Sequence, residues 1–352
     1  MKKLIDRLYY GDILSKEELI LLLECKDIQS NEYLRKCAIK KRKEIYSNHV
    51  YIRGLIEISN ICKNDCYYCG IRKSNKKCSR YRLKKDDILS CCKTGYELGF
   101  RTFVMQGGED GYYNDEILCD IISSIKKEYP DCAITLSLGE KTKESYQKLY
   151  DAGVDRYLLR HETANDNHYS MLHPEVLTLK HRMECLKNLK EIGFQTGCGF
   201  MVGSPFQTIE NIAEDLLFIA EFRPHMVGIG PFIPHVDTPF KNEPAGDTDL
   251  TCKILSIIRL ILPEVLLPAT TALGSLEKDG REKGILSGAN VVMPNLSPEN
   301  VREKYALYNN KLSSGAEAAE SLNLLKESIK NIGYEIVISR GDFIKNNLKE
   351  EI

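Results

Sequence analysis

The chain has 352 residues, 43% of them apolar and 28% charged, with 49 Lys+Arg against 50 Asp+Glu. This balance leaves no overall basic excess to attract nucleic acid or anionic lipid, and no unbroken apolar run of about 18 residues is present to span a bilayer. The charged opening Met-Lys-Lys-Leu-Ile-Asp-Arg-Leu lacks the apolar core of a secretion signal, and thirteen cysteines, an odd count, imply a reducing cytoplasm rather than a disulfide framework.

Residues 1–48 read as an N-terminal helical cap. Ser15 and Glu18 form a capping box ahead of Leu19, Ile20, Leu22 and Leu23, and a second amphipathic run follows from Glu32. From Tyr51 the pattern changes to short β-rich runs separated by amphipathic helices, and it does so eight times. The strands are expected at 51–58, 101–106, 132–138, 156–160, 195–202, 226–230, 266–272 and 290–293, with helices such as 86–98, 180–192, 209–222 and 250–262 between them. Parallel neighbours require crossover helices, so the pattern predicts an α/β fold, a parallel (β/α)8 TIM-type barrel over residues 49–296. An incomplete six-strand barrel is the alternative. Residues 297–352 leave the repeat and are expected to pack on the barrel as an extension or lid, with an amphipathic helix at 316–329 and an edge strand at 334–339.

Residues 60–72 read Asn-Ile-Cys-Lys-Asn-Asp-Cys-Tyr-Tyr-Cys-Gly-Ile-Arg, which sets Cys62, Cys66 and Cys69 in one tight loop after the first strand. Converging thiolates can hold a metal or an iron–sulfur cluster. A closed zinc site would need a fourth ligand nearby, and Cys78, nine residues on with no His beside it, is the nearest candidate. Zinc and unliganded cysteines remain open on spacing alone. The basic run from Arg72 to Lys85 reads as a solvated loop.

Active residues of a barrel collect after its strands, at the C-terminal mouth. Gln106-Gly107-Gly108-Glu109 follows the second strand, where glycines admit a ligand close to the backbone and the carboxylate can receive an ammonium; a turn with a solvated Glu is the plain alternative. Arg156 and Arg160 differ by four and so share one side of their strand, which would make the cavity anion-binding unless they serve as ion pairs for Glu162. His161 points the other way and reads as a packed histidine. Thr270 and Thr271 could bind polar atoms or simply favour a strand, and Met201, Met226 and Met293 could line the cavity or fill the core.

The Cys-x3-Cys-x2-Cys spacing resembles the radical S-adenosylmethionine (SAM) superfamily, with Tyr68 matching the aromatic beside the adenine and Gly107-Gly108-Glu109 matching the motif that meets the SAM amino group. The stretches Ser137-Leu138-Gly139-Glu140, 156–165, 226–235 and Pro268-Ala269-Thr270-Thr271-Ala272 further resemble the HydE family of [FeFe]-hydrogenase maturases, a likeness running through most of residues 1 to about 310. What the resemblance implies is one [4Fe-4S] cluster on Cys62, Cys66 and Cys69. SAM would be held by Tyr68, Gln106, Gly108, Glu109, Ser137, Glu162, Arg182 and Tyr305. A substrate cavity would be lined by Thr135, Arg156, Arg160, Thr270, Thr271, Met293 and Tyr308. It further implies a role in assembling the hydrogenase H-cluster, on an iron-bound cysteine carrying CO and cyanide supplied by HydG. HydF would be the downstream scaffold, and a ferredoxin or flavodoxin the electron donor. Methylornithine synthase shares the barrel and triad and is the nearest alternative enzyme, biotin synthase is more distant, and a non-catalytic iron–sulfur carrier is the alternative of another class. No cysteine follows Cys252, so the accessory cluster that some family members carry in their C-terminal region is not expected.

Overall fold

Three helices come first in a computed structural model that describes residues 1–313 and 319–344: α1 (Lys2–Tyr9), α2 (Lys16–Glu24) and α3 (Ile28–Tyr46). Ser15 and Glu18 make the reciprocal capping box that starts α2. α3 begins before its apolar period does, because Asp27 caps it by accepting from the Ser30 N–H at 2.9 Å. The fully buried Arg42 of α3 donates to the carbonyls of Ala289 (2.9 Å) and His49 (2.7 Å), which ties the cap to the barrel.

The barrel strands are β1 (His49–Ile52), β2 (Gly54–Ser59), β3 (Thr102–Gly107), β4 (Ala133–Ser137), β5 (Arg156–Leu158), β6 (Gln195–Cys198), β7 (Met201–Val202), β8 (Met226–Val227), β9 (Gly230–Pro231) and β10 (Val291–Val292). β1 and β2 are two halves of the first barrel strand. β2, β3, β4, β5, β6 and β8 form one parallel sheet in that order. The ring then closes through single bridges, Met226 to Leu266 and Pro268 to Val291, and returns to the first strand at Tyr51–Val291, Ile52–Val292 and Leu55–Asn295. Eight strand positions are therefore occupied, as the eight alternations predict. The seventh is thin because Pro268 has no N–H to donate, and Thr271 opens a helix (Thr271–Leu276) instead of ending the strand.

The last strand among the described residues, β11 (Glu335–Val337), pairs in parallel with β1, placing Glu335 opposite His49. Ahead of it runs a helix, Leu322–Asn331; residues 316–318 of the expected 316–329 helix lie outside the described residues. After β11 the chain crosses beneath the barrel, where β3, β5 and β6 begin. The Arg340 carbonyl accepts from Thr102 Oγ1 and from Arg156 Nη2, both at 2.8 Å, and Asp342 Oδ1 accepts from Gln195 Nε2 at 3.0 Å. The floor of the barrel is thus sealed by the chain itself, and its mouth faces the opposite way.

Candidate functional site

The loop that carries the three cysteines is fastened by side chains on both flanks. Asn60, fully buried, donates through Nδ2 to the carbonyls of Ser79 (2.8 Å) and Lys304 (2.7 Å) and accepts from the Tyr81 N–H. Asp65 takes a bidentate contact from Arg72 (2.7 and 2.6 Å) and accepts from the Ser74 N–H, and Arg72 holds its carboxyl well below the usual carboxylate range. Arg80 donates to four carbonyls, those of Asn60, Ile71, Arg72 and Asn75, at 2.5–3.1 Å. A basic run read as solvated therefore includes the pin of the loop.

Cys62, Cys66 and Cys69 all line one cavity of about 330 Å³ at the barrel mouth. Burial, with repulsion from Cys62, pushes the Cys69 thiol up to about 12 and burial raises the other two as well, so a cationic group is needed to hold three thiolates here. Among the described residues no three His, Cys, Asp or Glu side chains converge on a single-ion site. A zinc ion would draw its donors to within about 2.0–2.3 Å, whereas thiolates on a four-iron cluster each take a different iron.

Of the other expected site residues, Tyr68, Gln106, Gly108, Glu109, Ser137, Arg160, Glu162, Arg182, Thr270, Thr271, Met293, Tyr305 and Tyr308 all line this cavity. Gln106 Nε2 donates to the Tyr305 hydroxyl at 3.3 Å. At Gly108 a Cβ would lie 2.3 Å from the Ile61 carbonyl oxygen and 2.8 Å from Cys62 Cβ, so only glycine lets the second strand's loop reach the cysteine loop. Gly139, at φ +75°, leaves room in the same way for the Glu109 carboxylate, which accepts from the Glu140 N–H at 3.0 Å. Lys63 Nζ lies 3.1 Å from Glu109 Oε2, an ion-pair distance without hydrogen-bond alignment. Tyr68 meets His173 Nε2 through its hydroxyl at 3.2 Å, and burial lowers His173 to about 4.

Glu162 sits in left-handed backbone at φ +67°, a conformation a glutamate adopts only where its surroundings enforce it. Its Oε1 accepts from Arg160 Nε at 3.0 Å while Oε2 is buried with no partner, as is the Thr270 hydroxyl. Arg182 donates to Glu140 Oε1 (2.6 Å) and to the Arg160 carbonyl (2.9 Å). Burial works against Arg160 and Arg182, but Glu162 and Tyr68 beside the first, and Tyr169 and Glu140 beside the second, raise both above the ordinary guanidinium range.

Two expected lining residues are not brought to this cavity. Arg156 opens β5 and is fully buried at the barrel floor, where Nη2 contacts Asp342 Oδ1 at 2.5 Å. The even spacing from Arg160 fixes the side of the strand, but four residues at about 3.3 Å each carry Arg156 roughly 13 Å down the barrel. Thr135 lies two residues below Ser137 in β4, buried and with its hydroxyl unpartnered. With Arg156 gone, the charges at the mouth balance: Glu57, Glu109 and Glu162 against Arg160, Arg182 and Lys311. The lining is therefore of mixed charge, not the anion hole that two inward arginines would make. His161 is packed as expected, between Asp215 Oδ1 (3.2 Å) and the Gly199 N–H.

Sequence reasoning missed Glu57 and Lys311. Glu57 is a fully buried carboxylate on β2 that accepts from Lys311 Nζ (2.7 Å) and Asn295 Nδ2 (3.0 Å). Lys311 lies on a strap, residues 303–313, that crosses the mouth and is held by Gly70 N–H to Leu307 O (2.8 Å) and Asn309 N–H to Pro234 O (3.0 Å). A lone glutamate inside the apolar run Gly-Leu-Ile-Glu-Ile-Ser was the available signal for the first. Lys311 had none.

Residues 56–219 match the Radical SAM superfamily model. The [FeFe] hydrogenase maturase subunit HydE of Thermotoga maritima is 45% identical over 298 residues, 85% of each chain. The chain belongs to the HydE family of radical SAM proteins. More remotely, the 3-methylornithine synthase of Methanosarcina acetivorans is 28% identical over 332 residues, 94% of this chain and 92% of that one. Among solved structures, methylornithine synthase (PylB) superposes with a TM-score of 0.84 at 26% identity, covering 95% of this chain and 97% of its own. The maturase HydG, at 20% identity and a TM-score of 0.80, shares the fold. Radical SAM proteins of the HydE family use a [4Fe-4S] cluster and SAM, and the donor set here fits both. Three loop thiols with no closing fourth donor among the described residues suit a cluster, while the unpartnered Glu162 Oε2 and the space kept open by Gly108 suit an organic ligand beside it.

Proposed function

We propose that this HydE-family enzyme acts on an iron-bound cysteine carrying CO and cyanide, received from HydG and passed as product to HydF, during assembly of the hydrogenase H-cluster. The observation that carries the reading is a single cavity joining the cysteine triad, a buried carboxylate with a free oxygen and a charge-balanced polar rim. Cluster and SAM, when bound, supply one-electron cleavage of the sulfonium bond to methionine and a 5′-deoxyadenosyl radical.

The chain's own part is to hold and shield. Cys62, Cys66 and Cys69 would ligate the cluster. Glu109 would receive the SAM ammonium across the Gly107-Gly108 turn, Arg182 the carboxylate, and Glu162 with Ser137 the ribose hydroxyls, with Tyr68 against the adenine. Gln106 and Tyr305, hydrogen-bonded to each other, would also contact SAM. Thr270, Thr271, Met293, Tyr308 and Arg160 would face the iron complex, and the strap over the mouth would keep water from the radical. Thr135 and Arg156, deeper in the barrel, would act on the substrate only through the residues above them. All thirteen cysteines are free, and no helix of the described residues is long and apolar enough to cross a membrane, both of which suit a cytoplasmic enzyme fed by a ferredoxin or flavodoxin.

Anaerobically reconstituted protein given SAM, a reductant and the iron–cysteine complex should release 5′-deoxyadenosine and consume the complex. Formation of methylornithine from lysine under the same conditions would reassign the chain to the mutase activity. An intact cluster with no 5′-deoxyadenosine would leave an iron–sulfur carrier.

A further inference from the structure

We propose that the lysine-bearing face of the cysteine loop is the docking surface for a small acidic one-electron carrier protein. The inference rests on the radical SAM reading of the site, since each reductive cleavage consumes one electron from outside.

The chain as a whole carries a net charge of −1, yet residues 72–85 hold eight Lys or Arg and no Asp or Glu. Four of these are used internally: Arg72 by Asp65, Arg80 by four carbonyls, Arg82 by Asp110 (2.7 and 2.9 Å) and Lys85 by Asp120 (2.7 Å). Lys73 and Lys76 are exposed and make no ion pair among the described residues, and Lys77 is 78% exposed beside Asp237. The Lys73 N–H is bonded to the Asn64 carbonyl at 2.8 Å, so its ammonium leaves from the loop that carries the thiols, and Lys63, next to Cys62, is 64% exposed.

An apolar patch adjoins these lysines. Phe206 is 59% exposed in left-handed backbone at φ +66°; its ring meets Phe240, which in turn meets Tyr67 of the cysteine loop at 6.2 Å between centroids. Val236, 56% exposed, adjoins the Asp237 that pairs with Lys77. An apolar centre flanked by unpaired cations is the anatomy of a transient interface steered by charge. Its place over the cluster ligands selects an electron carrier among acidic partners.

The test uses full-length reconstituted enzyme and compares 5′-deoxyadenosine formation driven by reduced flavodoxin with that driven by photoreduced deazaflavin. In K73E/K76E the flavodoxin-driven rate should fall about tenfold or more at roughly 0.02 M ionic strength, and should meet the wild-type rate near 0.5 M as screening removes the steering. The deazaflavin rate should not change. K73Q/K76Q should fall less, and Phe206→Ser should raise the flavodoxin KM at every ionic strength. An unchanged flavodoxin rate at low salt overturns the proposal, as does an equal fall with both reductants. Loss of delivery to a scaffold protein with the flavodoxin rate intact gives the face to an assembly partner and also overturns it. Wild-type enzyme that makes no 5′-deoxyadenosine with deazaflavin refutes the function reading instead.

Discussion

Replacing Lys311 with methionine removes the only cation bonded to the Glu57 carboxylate among the described residues. Glu57 is fully buried and the Lys311 side chain is 9% exposed, so the pair is shielded and its breakage leaves an uncompensated charge. Breaking such a pair costs about 3–5 kcal/mol. Two features hold the figure near the lower bound: Asn295 Nδ2 still donates to Oε2 at 3.0 Å, and both side chains border the cavity, from which water can reach the carboxylate. At about 2 °C per kcal/mol for a chain of this size, ~3 kcal/mol lowers Tm by roughly 6 °C. Melting at one fixed scan rate would measure it. Glu57→Gln/Lys311→Met removes both charges and should recover most of the loss, because the cost lies in the orphaned partner and not in the pair itself. The strap that delivers Lys311 also carries Tyr305, so K311M should weaken SAM binding while the double variant restores it in part. A K311M melting curve that overlays wild type, or a double variant less stable than K311M, refutes the account.

Gly108→Ala drives a methyl into the Ile61 carbonyl and Cys62 Cβ, and should lower iron retention after reconstitution far more than it lowers Tm; equal iron content would show that the two loops can part freely. His173 titrates near 4 in the fold and near 6.5 when unfolded, so the unfolded chain takes its proton first. Its contribution is complete above about pH 6.5 and is lost as pH falls towards 4, by ~3 kcal/mol in all. His173→Gln should therefore flatten that limb of the pH–stability curve, and an identical slope in both proteins would sink the assignment. Iron should saturate at about four per chain, since one cysteine triad holds one cluster; a value near eight would require a second site.

The barrel could be read from the sequence because a parallel strand cannot meet its neighbour without a crossover, so counting β-rich runs counts staves. The triad was legible for a different reason, since its spacing lies within one loop and needs no tertiary information. Depth along a strand was not legible. Arg156 and Arg160 share a side by parity, but only the ring of strands shows that one stands at the mouth and the other at the floor. Arg80 was missed because a run of cations looks the same in sequence whether its members face water or a cluster of carbonyls. Lys311 was missed because it meets Glu57 across 254 positions, with no local pattern to mark the encounter.

The pairing of β11 with β1, and of Arg340 and Asp342 with the undersides of β3, β5 and β6, bears on how the molecule is made. A ribosome releases the first stave nearly three hundred positions before the segment that flanks it. Until that segment emerges, Arg156 lacks its ion-pair partner Asp342 and the lower edge of β1 is bare, an invitation to intermolecular strand addition. Synthesis truncated ahead of residue 335 should yield a sticky, chaperone-dependent intermediate even though every cysteine of the triad is already in place.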